Sequence, residues 1–264
     1  MKILRFLVPL ALAAQSYAAP PIAFEKGDRV VFVGGTFVER MARLGYLETA
    51  LTLALHDKKL TFRNLGWSAD TVRGESRGYD KPQTGYANLL ANLRKAEPSL
   101  LFLAYGAAES WGGDPTKFGT DYQRLLDELK PLGARMVLVS PILQENWGKP
   151  MPDPSQHNAD LRSYASVIKE LAQKNALPYL DLLSLVDPDI PKAKRLTMNS
   201  LQLNDAGHRR LADFFLEKLG LPPRKDLDDQ KGRHIRNVTQ AKNELYFYSW
   251  RPQNQTYIYS FRKR

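Results

Sequence analysis

Five short apolar runs, separated by stretches of helical period, constrain this chain more than any single residue does. The runs are 29–33, 60–64, 99–104, 135–140 and 178–182. The middle ones are nearly continuous hydrophobes, as parallel strands covered on both faces require. Between them, residues 44–57, 84–96, 116–131, 156–175 and 205–219 repeat apolar side chains every three or four positions, the spacing that aligns one face of a helix. Gly133 and Asn175 fall near helix ends, and Gly220 followed by Pro222-Pro223 stops the helix over 205–219. This alternation predicts an α/β fold: a three-layer α/β/α sandwich around a five-stranded parallel, flavodoxin-like sheet in the order 2-1-3-4-5.

The two ends of the chain read differently from the body. Lys2 and Arg5, the apolar stretch Phe6 to Ala14 and the small-x-small site Ser16-Tyr17-Ala18 read as a signal peptide over 1–18. Nine apolar residues are too few to span a bilayer, which takes about 20. The expectation is an exported protein, periplasmic or extracellular. With no cysteine, it relies on one large core rather than on disulfides. A linker over 19–26 precedes the body, 27–221, and a basic extension occupies 222–264. Of the formal charge of +10, most lies in that extension, where residues 224–264 hold ten Lys/Arg against four acids. Such a patch suits an anionic polymer, a carbohydrate ligand, or a cell-surface or membrane-associated protein partner. No motif in the chain points to nucleic acid. Residues 224–243 are charged and helix-compatible. Glu244–Trp250 and Thr256–Phe261 read as two strands of an aromatic hairpin, with Tyr246, Tyr248 and Trp250 on one face.

In parallel α/β sheets, ligands bind beyond the carboxyl ends of the strands. Four segments fall there: Gly34-Gly35-Thr36, Gly66-Trp67-Ser68-Ala69-Asp70, Tyr105-Gly106-Ala107-Ala108-Glu109 and Asn199-Ser200-Leu201-Gln202-Leu203-Asn204. Their order and spacing over about residues 27–219 resemble the SGNH (GDSL-like) hydrolases, named for a serine, a glycine, an asparagine and a histidine. The resemblance places Thr36 at the nucleophile, and Thr36, Ala69 and Ala108 at the oxyanion-hole positions. With Asn204 and Gly207 fixing the register, Asn199 stands at the family's aspartate and Gln202 at its histidine. Thr36 keeps a hydroxyl, but its β-methyl crowds attack; as an ordinary residue it would cap a helix or line a pocket. Ala69 keeps a backbone N–H, whereas Ala108 loses the side-chain donor, a loss on the order of 10²–10³ in rate. Gln202 does not titrate, so it can neither take a proton from the nucleophile nor return one to a leaving group. Arg63-Asn64-Leu65-Gly66-Trp67-Ser68, Lys242-Asn243-Glu244-Leu245 and Arg251-Pro252-Gln253-Asn254 are similar to exported GDSL-like proteins of planctomycete and verrucomicrobial bacteria, described as esterases or carbohydrate deacetylases.

A second register uses Asp205-Ala206-Gly207-His208 as the Asp-x-x-His element, with His208 as the base. It abandons Asn204 and Gly207 as landmarks, and Asp205 there is also a normal helix cap. His56, His157 and His234 have no spacing partners and read as surface residues. Glu39, Trp67, Asp70, Arg73 and Glu109 are candidate pocket residues; paired carboxylates could share acid and base work, or hold loops through salt bridges. No metal-ligand spacing is present, and no cofactor is expected. Two functions follow from the resemblance: an impaired hydrolase that binds through its old pocket, or an active esterase on acylated carbohydrate using Thr36 or another nucleophile.

Overall fold

A computed structural model describes residues 21–78 and 82–251. Strands β1 (Arg29–Gly34), β2 (Thr61–Gly66), β3 (Leu100–Ala104), β4 (Arg135–Val139) and β5 (Tyr179–Leu180) form one parallel sheet. Its order is β2-β1-β3-β4-β5, the order that the sequence pattern predicts. The α-helices among the described residues are α1 (Thr36–Leu44), α2 (Tyr46–Ala54), α3 (Gly85–Ala96), α4 (Pro115–Leu129), α5 (Ser155–Lys174), α6 (Asp205–Lys218) and α7 (Gln230–Trp250). None of them is long and apolar enough to cross a membrane.

The pleat explains why the central strands are apolar throughout, since successive side chains enter opposite layers. Val30, Phe32, Leu100, Phe102, Val137 and Val139 pack with α1, α2 and α6. Val31, Val33, Leu101, Leu103, Met136 and Leu138 pack with α3, α4 and α5. In the first layer the Phe102 ring lies 4.9 Å from Phe32 and 5.5 Å from Phe215, centroid to centroid. Truncating such a ring to Ala costs about 3–5 kcal/mol.

Two elements differ from the sequence reading. The helix expected over 44–57 is α2, and the chain adds a further helix, α1, directly before it; Gly45, at a left-handed φ of 70°, closes α1 and opens α2. Helix α1 itself escapes the periodic pattern, since it begins directly after the β1 loop. The strand expected at Glu244–Trp250 is the last two turns of α7. In a helix Tyr246 and Trp250 share a face four residues apart, and they receive Arg63 at 4.0 Å and Lys95 at 5.2 Å over their rings. Tyr248 turns outward and is 49% exposed. Asp229 caps the helix by accepting from the Gly232 N–H at 2.7 Å. Lys242 pairs with Glu48, and Asn243 Nδ2 donates to the Ala42 carbonyl at 3.1 Å. Cationic and polar anchors therefore set the helical register and override the aromatic alternation. The partner strand proposed at Thr256–Phe261 lies outside the described residues.

Candidate active site

The loops at the carboxyl edge of the sheet enclose a cavity of about 390 Å³. Gly35–Phe37 arrive after β1, Ala69–Thr71 after β2, Ala104–Glu109 after β3 and Ser140–Gln144 after β4, while Leu201–Leu203 and His208 close it from the α6 side. Thr36, Ala69, Ala108 and Gln202 all line this one cavity. A volume of this size suits a small organic ligand.

Thr36 is the first residue of α1, and the cap position belongs to Gly35, which makes no side-chain cap bond. The Thr36 hydroxyl faces the next loop instead, where Oγ1 accepts from the Ala69 N–H at 3.0 Å. Ala69 stands at φ 57°, a left-handed conformation natural to glycine and strained for alanine. Its N–H nevertheless points at the Thr36 oxygen, so the backbone half of an anion-binding corner is intact. The corner owes its shape to Gly66, where a Cβ would stand 2.2 Å from the Glu39 nitrogen; α1 thus lies directly against the end of β2.

The segment carrying Gln202 is built around a buried carboxylate that the sequence reading missed. Glu145 is fully buried. Its Oε1 accepts from the Leu196 N–H at 2.6 Å, and its Oε2 accepts from the Thr197 N–H at 3.1 Å, from the Thr197 hydroxyl and from the Trp147 indole. Asn199 Oδ1 accepts from the Gln202 N–H at 2.9 Å, and Ser200 turns at φ 72°. Asn199 therefore shapes the loop through the Gln202 backbone. Asn204 caps α6 by accepting from the Gly207 N–H at 2.8 Å, and a Cβ on Gly207 would stand 2.1 Å from the Leu196 carbonyl. That crowding is the physical reason for the Asn-x-x-Gly landmark.

The second register finds a different geometry. His208 is buried and lines the cavity, but Asp205 accepts from the Tyr46 hydroxyl at 2.9 Å and lies near Arg236 at 3.9 Å. Among the described residues no hydrogen bond joins Asp205 to His208. Burial first, and then the Arg40 charge, pull the His208 pKa down to about 4.

Of the expected pocket residues, Asp70 and Glu109 line the cavity and the other three do not. Asp70 Oδ2 accepts from Nε of the buried Arg77 at 2.7 Å. Arg73 is exposed and pairs with Glu75 at 3.5 Å, because the turn after Asp70 carries it outward. Glu39 accepts from the Ser68 N–H and hydroxyl at 2.7 and 2.8 Å, and also from Arg251, so it fixes the loop from behind. Trp67 is buried beneath that loop, with Arg251 4.2 Å and Arg77 5.2 Å from its ring centroid. Glu109 accepts from the Val72 and Gly106 N–H groups at 2.9 Å each, and burial raises its pKa to about 6. Its carboxylate ties two cavity loops together.

His157, read from the sequence as a surface residue, is buried at the cavity wall. Its Nε2 lies 2.8 Å from Ser110 Oγ, and its ring stacks on Trp111 at 3.8 Å. Ser110 is itself buried and does not line the cavity, so the pair positions the imidazole rather than presenting a nucleophile. No spacing motif links residues 110 and 157; the packing of α5 against the β3 loop brings them together. Among the described residues no cluster of three or more His, Cys, Asp or Glu could hold a metal.

The model of the GDSL-like lipase/acylhydrolase family matches residues 33–210, which span every loop of this cavity. The chain belongs to that family. Solved structures agree on the fold. A catalytic mutant of Axe2, an acetylxylan esterase from Geobacillus stearothermophilus, superposes with a TM-score of 0.59 at 18% identity, covering 74% of this chain and 95% of that one. The acetyl xylan esterase AlAXEase gives 0.57 at 19% identity, with 72% and 98% covered. LAE5, an alpha/beta hydrolase enzyme from the metagenome of Lake Arreo, Spain, gives 0.59 at 16% identity, with 75% and 97% covered. No curated protein sequence matches the chain.

Proposed function

We propose that this family member binds an acylated or free carbohydrate in its cavity and turns it over poorly or not at all. The observation that carries the reading is the convergence of Thr36, Ala69, Ala108 and Gln202 on one cavity. Three functions make an acyl hydrolase of this class: a nucleophile, a proton acceptor and an oxyanion hole. Here the nucleophile position holds a hindered hydroxyl that already accepts the Ala69 N–H. The acceptor position holds an amide, and Ala108 has no side-chain donor. His208 is a weak base in this setting, and no carboxylate among the described residues orients it.

The cavity walls suit a sugar. Trp111 is 61% exposed and stacked on His157 at the rim, an aromatic face of the kind that packs on the C–H face of a pyranose. The acetylxylan esterases of the same fold act on acetylated polysaccharide according to their names, which supports this ligand class. We further propose that the protein is exported, on the strength of Lys2, Arg5 and the apolar stretch to Ala14.

A second reading, an active esterase or deacetylase with Thr36 as nucleophile, draws on the surviving Ala69 N–H and on His208 sharing the cavity. Restoring the family residues separates the two. Thr36→Ser, Ala108→Asn, Asn199→Asp and Gln202→His combined should create ester hydrolysis that the wild-type chain lacks. Each proton-transfer role is typically worth about 10²–10⁴ in rate, and residues acting as a unit restore activity together rather than singly. A wild-type rate equal to that of the restored variant would remove the binding-only reading.

A further inference from the structure

The charged groups lining the cavity are unequally satisfied. Asp70 is held by Arg77, and the Glu109 carboxylate by two backbone N–H groups. Arg40 has no such partner. It stands on α1 four residues after Thr36, on the same face and one turn along the helix. Its Nη1 donates to Met198 Sδ at 3.8 Å, and a thioether sulfur is only a weak acceptor. Arg29, Arg77, Arg135, Arg209, Arg224 and Arg251 each meet a carboxylate. Among the described residues Arg40 meets none.

Arg40 is half-buried at the cavity edge, and its guanidinium fork keeps N–H donors that no carboxylate among the described residues engages. Phe37, Pro141, Ile142 and Leu201 line the same cavity and supply no charge of either sign. The nearby imidazole of His208 supplies no negative charge, and Gln202 and Thr36 offer neutral hydrogen-bonding groups. The end of the cavity at α1 is therefore built to receive a negative charge, and the planar fork of Arg40 matches a carboxylate bidentately.

We propose that the ligand is a uronic acid, a sugar whose carboxylate pairs with Arg40 while its ring meets the Trp111 side of the same cavity. The proposal rests on the carbohydrate-binding reading above and adds the charge of the ligand to it. Binding involves no covalent step, so Arg40 acts as a specificity residue.

The test compares glucuronic acid with glucuronamide, its neutral counterpart, by calorimetric or saturation-transfer titration of the purified chain at low salt. A charge-assisted hydrogen bond of this type is worth roughly tenfold to a hundredfold in affinity. The wild-type chain should prefer the acid by about that factor, and added salt should shrink the preference. Arg40→Gln should abolish the preference, and Arg40→Lys should keep part of it. Trp111→Ala should weaken both probes alike. Equal binding of the two probes by the wild-type chain overturns the carboxylate assignment and leaves the carbohydrate reading standing. A preference that survives Arg40→Gln overturns the role of Arg40. Binding of neither probe overturns both readings. The wild-type comparison needs no variant, so a folding defect in Arg40→Gln would not shield the proposal.

Discussion

Replacing His208 by Phe should make this protein resist acid better than the wild type, by an amount the structure sets. His208 is buried in the first turn of α6 beside Arg40. Burial, and then the Arg40 charge, lower its pKa to about 4, while in the unfolded chain it titrates near its ordinary value of about 6.5. Between those values the unfolded chain binds a proton that the folded one refuses. Stability from this group is therefore complete above about pH 6.5 and is lost as the pH falls toward 4. Going from pH 7 to pH 5 costs the folded state about 2 kcal/mol. Glu109 works in the opposite sense. Its folded pKa of about 6 lies above the ordinary carboxylate value, so the folded state gains on acidification, by about 1 kcal/mol over the same interval. Glu109 thus offsets about half of the histidine contribution in the wild-type stability curve, and the difference between variant and wild type exposes all of it. Urea unfolding of both proteins at pH 7 and pH 5 provides the four free energies. The variant-minus-wild-type difference should move in favour of His208→Phe by about 2 kcal/mol on acidification. A movement below about 0.5 kcal/mol would show that His208 is solvated in the folded chain and would remove the argument that it is a poor base.

Three further outcomes test the scaffold of the site. Ala69→Gly should relieve the left-handed strain at φ 57°, offset in part by the added freedom of glycine in the unfolded chain, for a net gain of about 0.5–1 kcal/mol and a rise of roughly 1–4 °C in Tm by calorimetry. Glu145→Ala should cost about 3 kcal/mol or more in urea unfolding, because it strands the Leu196 and Thr197 N–H groups in a buried loop. Deleting residues 230–264 should uncover the α1, α2 and β2 surfaces that α7 covers, lowering Tm and increasing binding of a hydrophobic dye; an unchanged Tm would mean that α7 contributes nothing to the body.

The sheet order and both core layers are legible in the sequence because buried parallel strands and amphipathic helices leave periodic signals that a single chain displays. The cavity positions are legible for a related reason: Thr36, Ala69 and Ala108 follow strands whose ends converge, and Gln202 is placed by the Asn204 and Gly207 landmark at the start of α6. What escapes is set by long-range contact. Nothing local to Glu145 announces that it will gather the Leu196 and Thr197 backbone 51 and 52 residues away. Ser110 and His157 meet only because α5 packs on the β3 loop. The aromatic alternation at 246–250 gives a strand signal, and it loses to the anchors that Lys242, Asn243 and Tyr246 make on Glu48, Ala42 and Arg63. Arg73 and Arg77 are equally plausible partners for Asp70 by sequence; only the course of the turn decides for Arg77.

The central claim, that the cavity binds without turning over, meets its most direct test in steady-state hydrolysis of p-nitrophenyl acetate by the purified wild-type chain, measured alongside Thr36→Ala and His208→Phe. The account predicts rates at the buffer background for all three. Saturable wild-type turnover abolished by Thr36→Ala would contradict it and establish Thr36 as the nucleophile, and turnover abolished by His208→Phe would assign the base to the second register.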